Sequence, residues 1–324
     1  DRLFAVIAGL KERGCGIIYI THRMEEIYRI GDRVTVLRDG KNAGTAAVRD
    51  CLQEELVSWM LGRRLSAQFP QRAPVLGQQR LRVEGFAVPG DEGWLVRDVS
   101  LTVAAGEVVG VAGLQGSGNS ELFGGIFGAY DSAVEGKVWL DGEPFAVRSP
   151  KHSIANGMAY LTNDRKATGL VLEHGVAQNI TMASLRGVSV GGWLSGTKES
   201  EAVARRVSEF SIKTTSVVSP VASLSGGNQQ KVVLAKWAET RPRVLLLDEP
   251  TRGVDIGAKH EIYELLASWA ARGMAIMLIT SDLQELLALS DRIIVMHRGR
   301  ISAVFTRGEA TPERVLTAAM GECA

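Results

Sequence analysis

Two apolar patterns alternate along this chain of 324 residues. Short, nearly unbroken apolar runs, Val108–Ala112 and Val244–Leu247, predict strands buried on both faces of a parallel sheet. Between them lie stretches of helical period, such as Leu3–Lys11 and Gln229–Ala238, while Leu81–Phe86 alternates like a half-buried strand. Strands taking turns with helices give an α/β fold.

The same pattern occurs twice. Arg13-Gly14 through Thr21-His22 can be laid on Arg272-Gly273 through Thr280-Ser281 at a constant offset of 259 residues. The offset persists, without a gap, through Glu26 and Glu285, Asp32-Arg33 and Asp291-Arg292, Gly40 and Gly299, and Gly62 and Gly321. Matched charges and glycines at one offset argue for duplication rather than two strands that happen to be apolar. Residues 1–62 therefore read as the closing part of a first unit that lacks the counterpart of residues 81–259. The expected order there is a helix from Leu3 to Lys11, a buried strand from Ile17 to Thr21, a helix from Met24 to Ile30, a strand from Arg33 to Leu37 and a closing helix. Residues 63–80, with Pro70, Pro74 and Gly77, read as a linker, and residues 81–324 as the second unit.

Composition narrows the function by exclusion. Lys plus Arg total 37 against 36 for Asp plus Glu, a net charge of +1, which gives no electrostatic footprint for nucleic acid. The cysteines, Cys15, Cys51 and Cys323, match no zinc or disulfide spacing and read as reduced thiols. No apolar run reaches the ~18 residues of a membrane span, so any tie to a membrane would run through a partner.

Chemistry enters at the strand ends. After Val108–Ala112 comes Gly113-Leu114-Gln115-Gly116-Ser117-Gly118-Asn119-Ser120 and then a helix through Phe127. Context and spacing fit a phosphate-binding P-loop, except that Asn119 stands where lysine belongs. Gly113, Gly116 and Gly118 would let backbone N–H groups face a phosphate at a helix N-terminus, and Ser120 would ligate Mg²⁺. Asn119 can donate a hydrogen bond but cannot neutralise charge. Val244–Leu247 delivers Asp248 and Glu249, the first on the metal side, the second placed to polarise an attacking water. Leu224-Ser225-Gly226-Gly227-Asn228-Gln229 opens a further helix, whose N-terminus suits an anion.

This ordered set, P-loop, then Ser225-Gly226-Gly227 with Gln229, then Asp248-Glu249, then Asp255, resembles the nucleotide-binding domain of ABC (ATP-binding cassette) transporters, a P-loop NTPase fold. The resemblance covers residues 81–324, with residues 1–62 matching the end of a preceding cassette. It implies ATP and Mg²⁺ as cofactors. The family's switch histidine corresponds to His22 in the first copy and to Ser281 in the second. Asn163, in Thr162-Asn163-Asp164-Arg165-Lys166, corresponds to the glutamine of the loop that faces the membrane subunit. The second copy thus departs from the pattern at Asn119, Asn163 and Ser281 together. Because such cassettes work as a head-to-tail pair, the resemblance implies two unequal sites, a competent one using His22 and the 224–231 signature and a degenerate one built on Asn119.

Finer details, Asn-Asp-Arg-Lys, Gly169-Leu170-Val171-Leu172, Leu-Ser-Gly-Gly-Asn-Gln-Gln-Lys and Glu-Pro-Thr-Arg-Gly-Val-Asp, resemble the ATP-binding subunits of bacterial monosaccharide importers of the ribose, galactose and xylose type. That family usually carries Arg at the position of Asn119. The resemblance implies a peripheral place on the cytoplasmic face of the inner membrane, a permease homodimer as partner and, indirectly, a periplasmic sugar-binding protein. Related cassettes import autoinducer-2 or nucleosides. A soluble twin-cassette protein acting on ribosomes is the weaker alternative, because its relatives keep both P-loop lysines and a long charged linker. A nucleotide-binding module without turnover is the stronger one, and the fragment alone is expected to be inactive. Phe86 and Trp94 are both candidates to stack on adenine.

Overall fold

The computed structural model describes residues 2–21, 24–38, 40–52, 55, 56, 59, 69, 70, 72, 75–91, 93–130 and 134–322. Two compact units divide the chain: residues 1–68 with Asp255–His260, and Phe69–Val254 with Glu261–Ala324.

In the first unit, helix α1 (Arg2–Glu12) ends at Gly14, whose φ of +77° lets its N–H and that of Cys15 close back on the carbonyls of Lys11 and Leu10. Helix α2 (Met24–Ile30) leads into an antiparallel hairpin, β1 (Arg33–Arg38) and β2 (Lys41–Ala47). Ile27, Val36, Val48, Cys51 and Leu56 form its small core, with Trp59 packed against it. The buried strand expected over Ile17–Thr21 is not formed. The segment makes no strand pairing, and Ile18 and Ile20 are each 94% exposed. Ladder partners, not apolar pattern, turn such a run into a strand, and the described part of this unit offers none. His22 lies outside the described residues.

The second unit opens with a four-stranded antiparallel sheet. Its strands β3 (Gln79–Gly90), β4 (Gly93–Ala104), β6 (Glu135–Leu140) and β7 (Glu143–Phe145) lie in the order β4-β3-β6-β7. Strand β3 starts at Gln79, inside the expected linker. Earlier linker residues are anchored too: Phe69 lies against the Tyr263 ring, and Arg72 forms a buried ion pair with Asp291 at 3.0 Å.

A second sheet has the order β14-β13-β5-β12-β11-β8, where β5 is Val108–Gly113, β8 Met158–Leu161, β11 Val244–Asp248, β12 Ala275–Ile279, β13 Arg292–His297 and β14 Arg300–Thr306. All pairings are parallel except β13 with β14. Every residue of β11 and β12 is buried, as their unbroken apolar runs require. Helices follow the strands: α3 (Asn119–Phe127), α4 (Pro150–Ala155), α5 (Val176–Thr181), α6 (Gly196–Glu209), α7 (Gly226–Glu239), α8 (Ile256–Ala271), α9 (Leu283–Leu289) and α10 (Pro312–Ala319). A short hairpin of β9 (Ser189–Val190) and β10 (Trp193–Leu194) precedes α6.

The repeat is visible in three dimensions. Helix α2 maps onto α9 and the hairpin β1–β2 onto β13–β14, residue for residue at the same offset. Both hairpins share one register, including the irregularity after Val36 and after Val295. Their cores correspond as well: Ile27, Val36 and Leu56 match Leu286, Val295 and Val315.

Candidate nucleotide site

Strand β5 lies between β12 and β13, so the loop after it opens at the carboxyl edge of the parallel sheet, the usual ligand position in such folds. Gly116 and Gly118 take φ of +79° and +96°, and Gly118 caps α3 with no side chain occupying the helix's first N–H groups. A methyl group on Gly118 would come within 2.7 Å of the Leu95 carbonyl oxygen, so the turn is packed against β4. The Ser117 carbonyl accepts from Gly299 N–H at 2.9 Å, which ties the loop to the β13–β14 turn. Glycine-rich backbone, free N–H groups and a helix dipole make an anion cradle. At its base Asn119 buries its Oδ1 without a hydrogen-bond partner among the described residues.

Below the cradle, Asp248 ends β11 at 1% exposure, and the Tyr160 hydroxyl, at 3.5 Å, and the Ser120 hydroxyl both donate to its carboxylate. Burial pushes the Asp248 pKa up to about 6, and the neighbouring Glu249 and Glu121 charges add to the rise. A buried carboxylate held by a hydroxyl is a ready partner for a divalent cation, with phosphate oxygens and water supplying the remaining ligands. Among the described residues no group of three His, Cys, Asp or Glu could hold a metal alone. Tyr160, whose ring meets Phe123 and Phe127 edge-on, orders this floor. Sequence reading missed it because an aromatic in an apolar strand reads as core.

Glu249 adopts φ +54°, a conformation a non-glycine residue holds only when its surroundings enforce it. Its N–H donates to the Ile279 carbonyl at 2.9 Å, and its Oε2 accepts from the Ser281 hydroxyl at 3.2 Å. The structure thus brings Ser281 and Glu249 together at adjacent strand ends. Asp255, grouped with the first unit, accepts from Ala258 N–H at 3.0 Å and caps the start of α8.

Ser225 is the N-cap of α7; its hydroxyl accepts from the Asn228 backbone and side chain, at 3.4 and 3.0 Å. Gly226 and Gly227 form the first turn of that helix. Gln229 points inward instead, its amide donating to the Val221 and Leu224 carbonyls, so its visible work is to hold the preceding loop. Asn163 is exposed just before a turn of π-helix, Arg165–Gly169, that Asp164 caps through the N–H groups of Lys166 and Ala167. Two cations escaped the sequence reading of this region. Arg165 donates to the Arg252 carbonyl at 2.7 Å, and Lys236 donates to the Gly169 carbonyl at 2.6 Å. The signal for Lys236 was a lone lysine inside Val232–Trp237; burial pushes its pKa down to about 8.

Of the two aromatic candidates, Phe86 is 1% exposed and packs under Gly125 as core. Trp94 is 44% exposed and precedes Leu95, whose carbonyl abuts Gly118.

Comparison with known proteins agrees with this geometry. Residues 96–252 match the ABC transporter family model. The chain is 46% identical to the ribose import ATP-binding protein RbsA of Geobacillus kaustophilus and 43% identical to that of Bacillus subtilis, over 98% and 99% of its own length. It spans 64% of the length of each of these relatives. Among solved structures, a nucleotide-free ATP-binding cassette from an ABC transporter superposes with a TM-score of 0.63 at 21% identity, over 76% of this chain and 100% of that one. The ADP conformation of the cassette MJ1267 gives 0.63 at 22%, with the same coverage.

Proposed function

This chain carries an ATP-binding cassette of the ABC transporter family, and from that premise we propose that it is part of the ATP-binding subunit of a ribose importer, in which ATP hydrolysis drives transport. The observation that carries this reading is the meeting of the Ser120 hydroxyl and the buried Asp248 carboxylate beneath the glycine-rich turn. In this reading Gly113, Gly116 and Gly118 cradle phosphates, and Ser120 and Asp248 hold Mg²⁺. Trp94 stacks on adenine, and Glu249, steadied by Ser281, faces the attacking water. Ribose, rather than another solute, follows from likeness to proteins named for ribose import at 43–46% identity.

Residues 1–62 are, in the same reading, the closing part of a first cassette, residues 63–80 the connection and residues 81–324 the second cassette. Ser225, Gly226 and Gly227 complete a competent site in trans with His22, while the site containing Asn119 is slow or silent. The partner is a pair of permease subunits at the cytoplasmic face of the membrane; no helix among the described residues is long and apolar enough to cross it. A groove of about 990 Å³ beside α4 and α6, presenting Lys151, Arg186 and Lys198, is the docking surface we assign to that partner.

The test is ATP-driven ribose uptake by vesicles holding the longer protein with its permease. Ser225→Tyr should abolish uptake and ATPase activity, whereas Ser120→Ala, at the degenerate site, should leave at least about a tenth of each, a loss within ~1.4 kcal/mol. Unchanged turnover in Ser225→Tyr overturns the two-site reading. One observation favours a second reading: Asn119 supplies no ammonium where one is expected, which suits a module that binds nucleotide without hydrolysing it. Nucleotide binding with ribose uptake insensitive to both substitutions would establish that alternative.

A further inference from the structure

The turn Arg165–Gly169 is held at both ends, and both ties lead to the neighbourhood of α7. At its start, Arg165 Nη1 donates to the Arg252 carbonyl at 2.7 Å. The same guanidinium presses on the first residue of α7: a methyl group on Gly226 would lie 2.9 Å from Arg165 Nη2 and 3.0 Å from the Gly253 carbonyl oxygen. Arg165 therefore touches the signature and the bend after Glu249 at once. At the end of the turn, Lys236, 5% exposed, sends its ammonium across to the Gly169 carbonyl at 2.6 Å. Gly169 packs against α7, since a methyl there would lie 3.4 Å from Val233 Cγ2, in ordinary contact. A charged donor buried on a carbonyl is a strong tie, and the Trp237 ring, 4.6 Å from the ammonium, is its other partner.

We infer that Arg165 and Lys236 are positioning residues that clip the 165–169 turn to both ends of the signature helix, so that the turn and Ser225–Gly227 are displaced together. Both cations donate to backbone carbonyls, and each acts by fixing that backbone. That this linkage carries a signal between permease and ATP rests on the function proposed above, but the clip itself does not.

Hydrogen exchange on the chain as it stands separates the two. In Arg165→Gln, amides of residues 163–170 and 224–230 should both exchange about tenfold faster, the effect of losing one charge-assisted hydrogen bond. Amides of Leu245–Leu247 and Ile276–Leu278 should keep their protection. Lys236→Met should loosen the same two segments from the opposite end, and Lys236→Arg, which restores a charged donor on a long stem, should recover them. If only the segment that bears the substitution loosens, or if the central strands loosen equally, there is no clip. Either result leaves the transport reading untouched, and loss of transport with intact co-displacement would count against that reading alone.

Discussion

The two copies of the closing element are alike in backbone and opposite in setting. Ile17–Thr21 and Ile276–Thr280 carry the same apolar run, yet Ile18 is 94% exposed and its counterpart Met277 is fully buried. The second copy has β5 on one side and β11 on the other; the first has neither among the described residues. Gly40 and Gly299 both take φ +76°, but only Gly299 meets anything, since a methyl there would strike the Leu95 carbonyl at 2.6 Å. The hairpin thus keeps one register in both settings, and what it does depends on neighbours. In the second unit it buttresses the glycine-rich loop after β5 through Ser117.

The largest effect that could break this comparison is a charge placed at matched positions. Met277→Asp would bury an unpaired carboxylate between two strands and should destabilise the second unit by more than about 4 kcal/mol, enough to unfold a marginal domain. Ile18→Asp should change stability by less than about 0.5 kcal/mol, as surface substitutions do. Urea unfolding followed by circular dichroism reads both. A comparable loss in Ile18→Asp would mean that Ile17–Thr21 is paired after all.

This contrast also shows how far the sequence was legible. The α/β class, the P-loop on β5, Asp248 and Glu249 at the end of β11 and the 259-residue repeat were all readable, because each is local: a run, a turn or an offset. The missing strand at Ile17–Thr21 was not, since pairing depends on residues distant in the chain. The anchoring of the linker by Phe69 and Arg72 was hidden for the same reason, as Arg72 finds Asp291 only in three dimensions. Tyr160, Arg165 and Lys236 are ordinary residues whose roles arise from what they face. Arg165 stands in Thr162-Asn163-Asp164-Arg165-Lys166 with no local feature to mark its partner.

A smaller perturbation sharpens the comparison inside the two cores. Where the second copy has Phe305 and Ala318, the first has Ala46 and Trp59: large and small residues have changed places between hairpin and closing helix. Total volume is kept, which cores tolerate better than a net gain or loss. Phe305→Ala alone should cost about 3 kcal/mol through an unfilled cavity, and Ala318→Trp alone about 2 through overpacking. The double substitution should cost less than their sum by at least about 1 kcal/mol, measured as a double-mutant cycle in urea. Strict additivity would show that the two positions do not share one packing problem and that the exchange between copies is incidental.

The smallest expected effect contrasts this relaxed closing core with the site it supports. The Asp248 carboxylate has a pKa near 6 when folded, against an ordinary value of 3.8, so the native state holds its proton more tightly than the unfolded chain. Its contribution favours the fold below pH 3.8 and is lost as pH rises through about 6, which leaves the ionised group as a destabilising charge at neutral pH. Asp248→Asn keeps the shape without that charge. In metal-free buffer it should stabilise the second unit by about 2 kcal/mol at pH 7, and the gain should shrink towards zero near pH 4. The same substitution leaves the packing of Val295, Phe305 and Val315 alone, so any gain reports on the site and not on the hairpin. Thermal unfolding at the two pH values decides the matter: a stabilisation equal at pH 4 and pH 7 would mean that the charge of Asp248 is already compensated, and that the site carries no more strain than the element closing beside it.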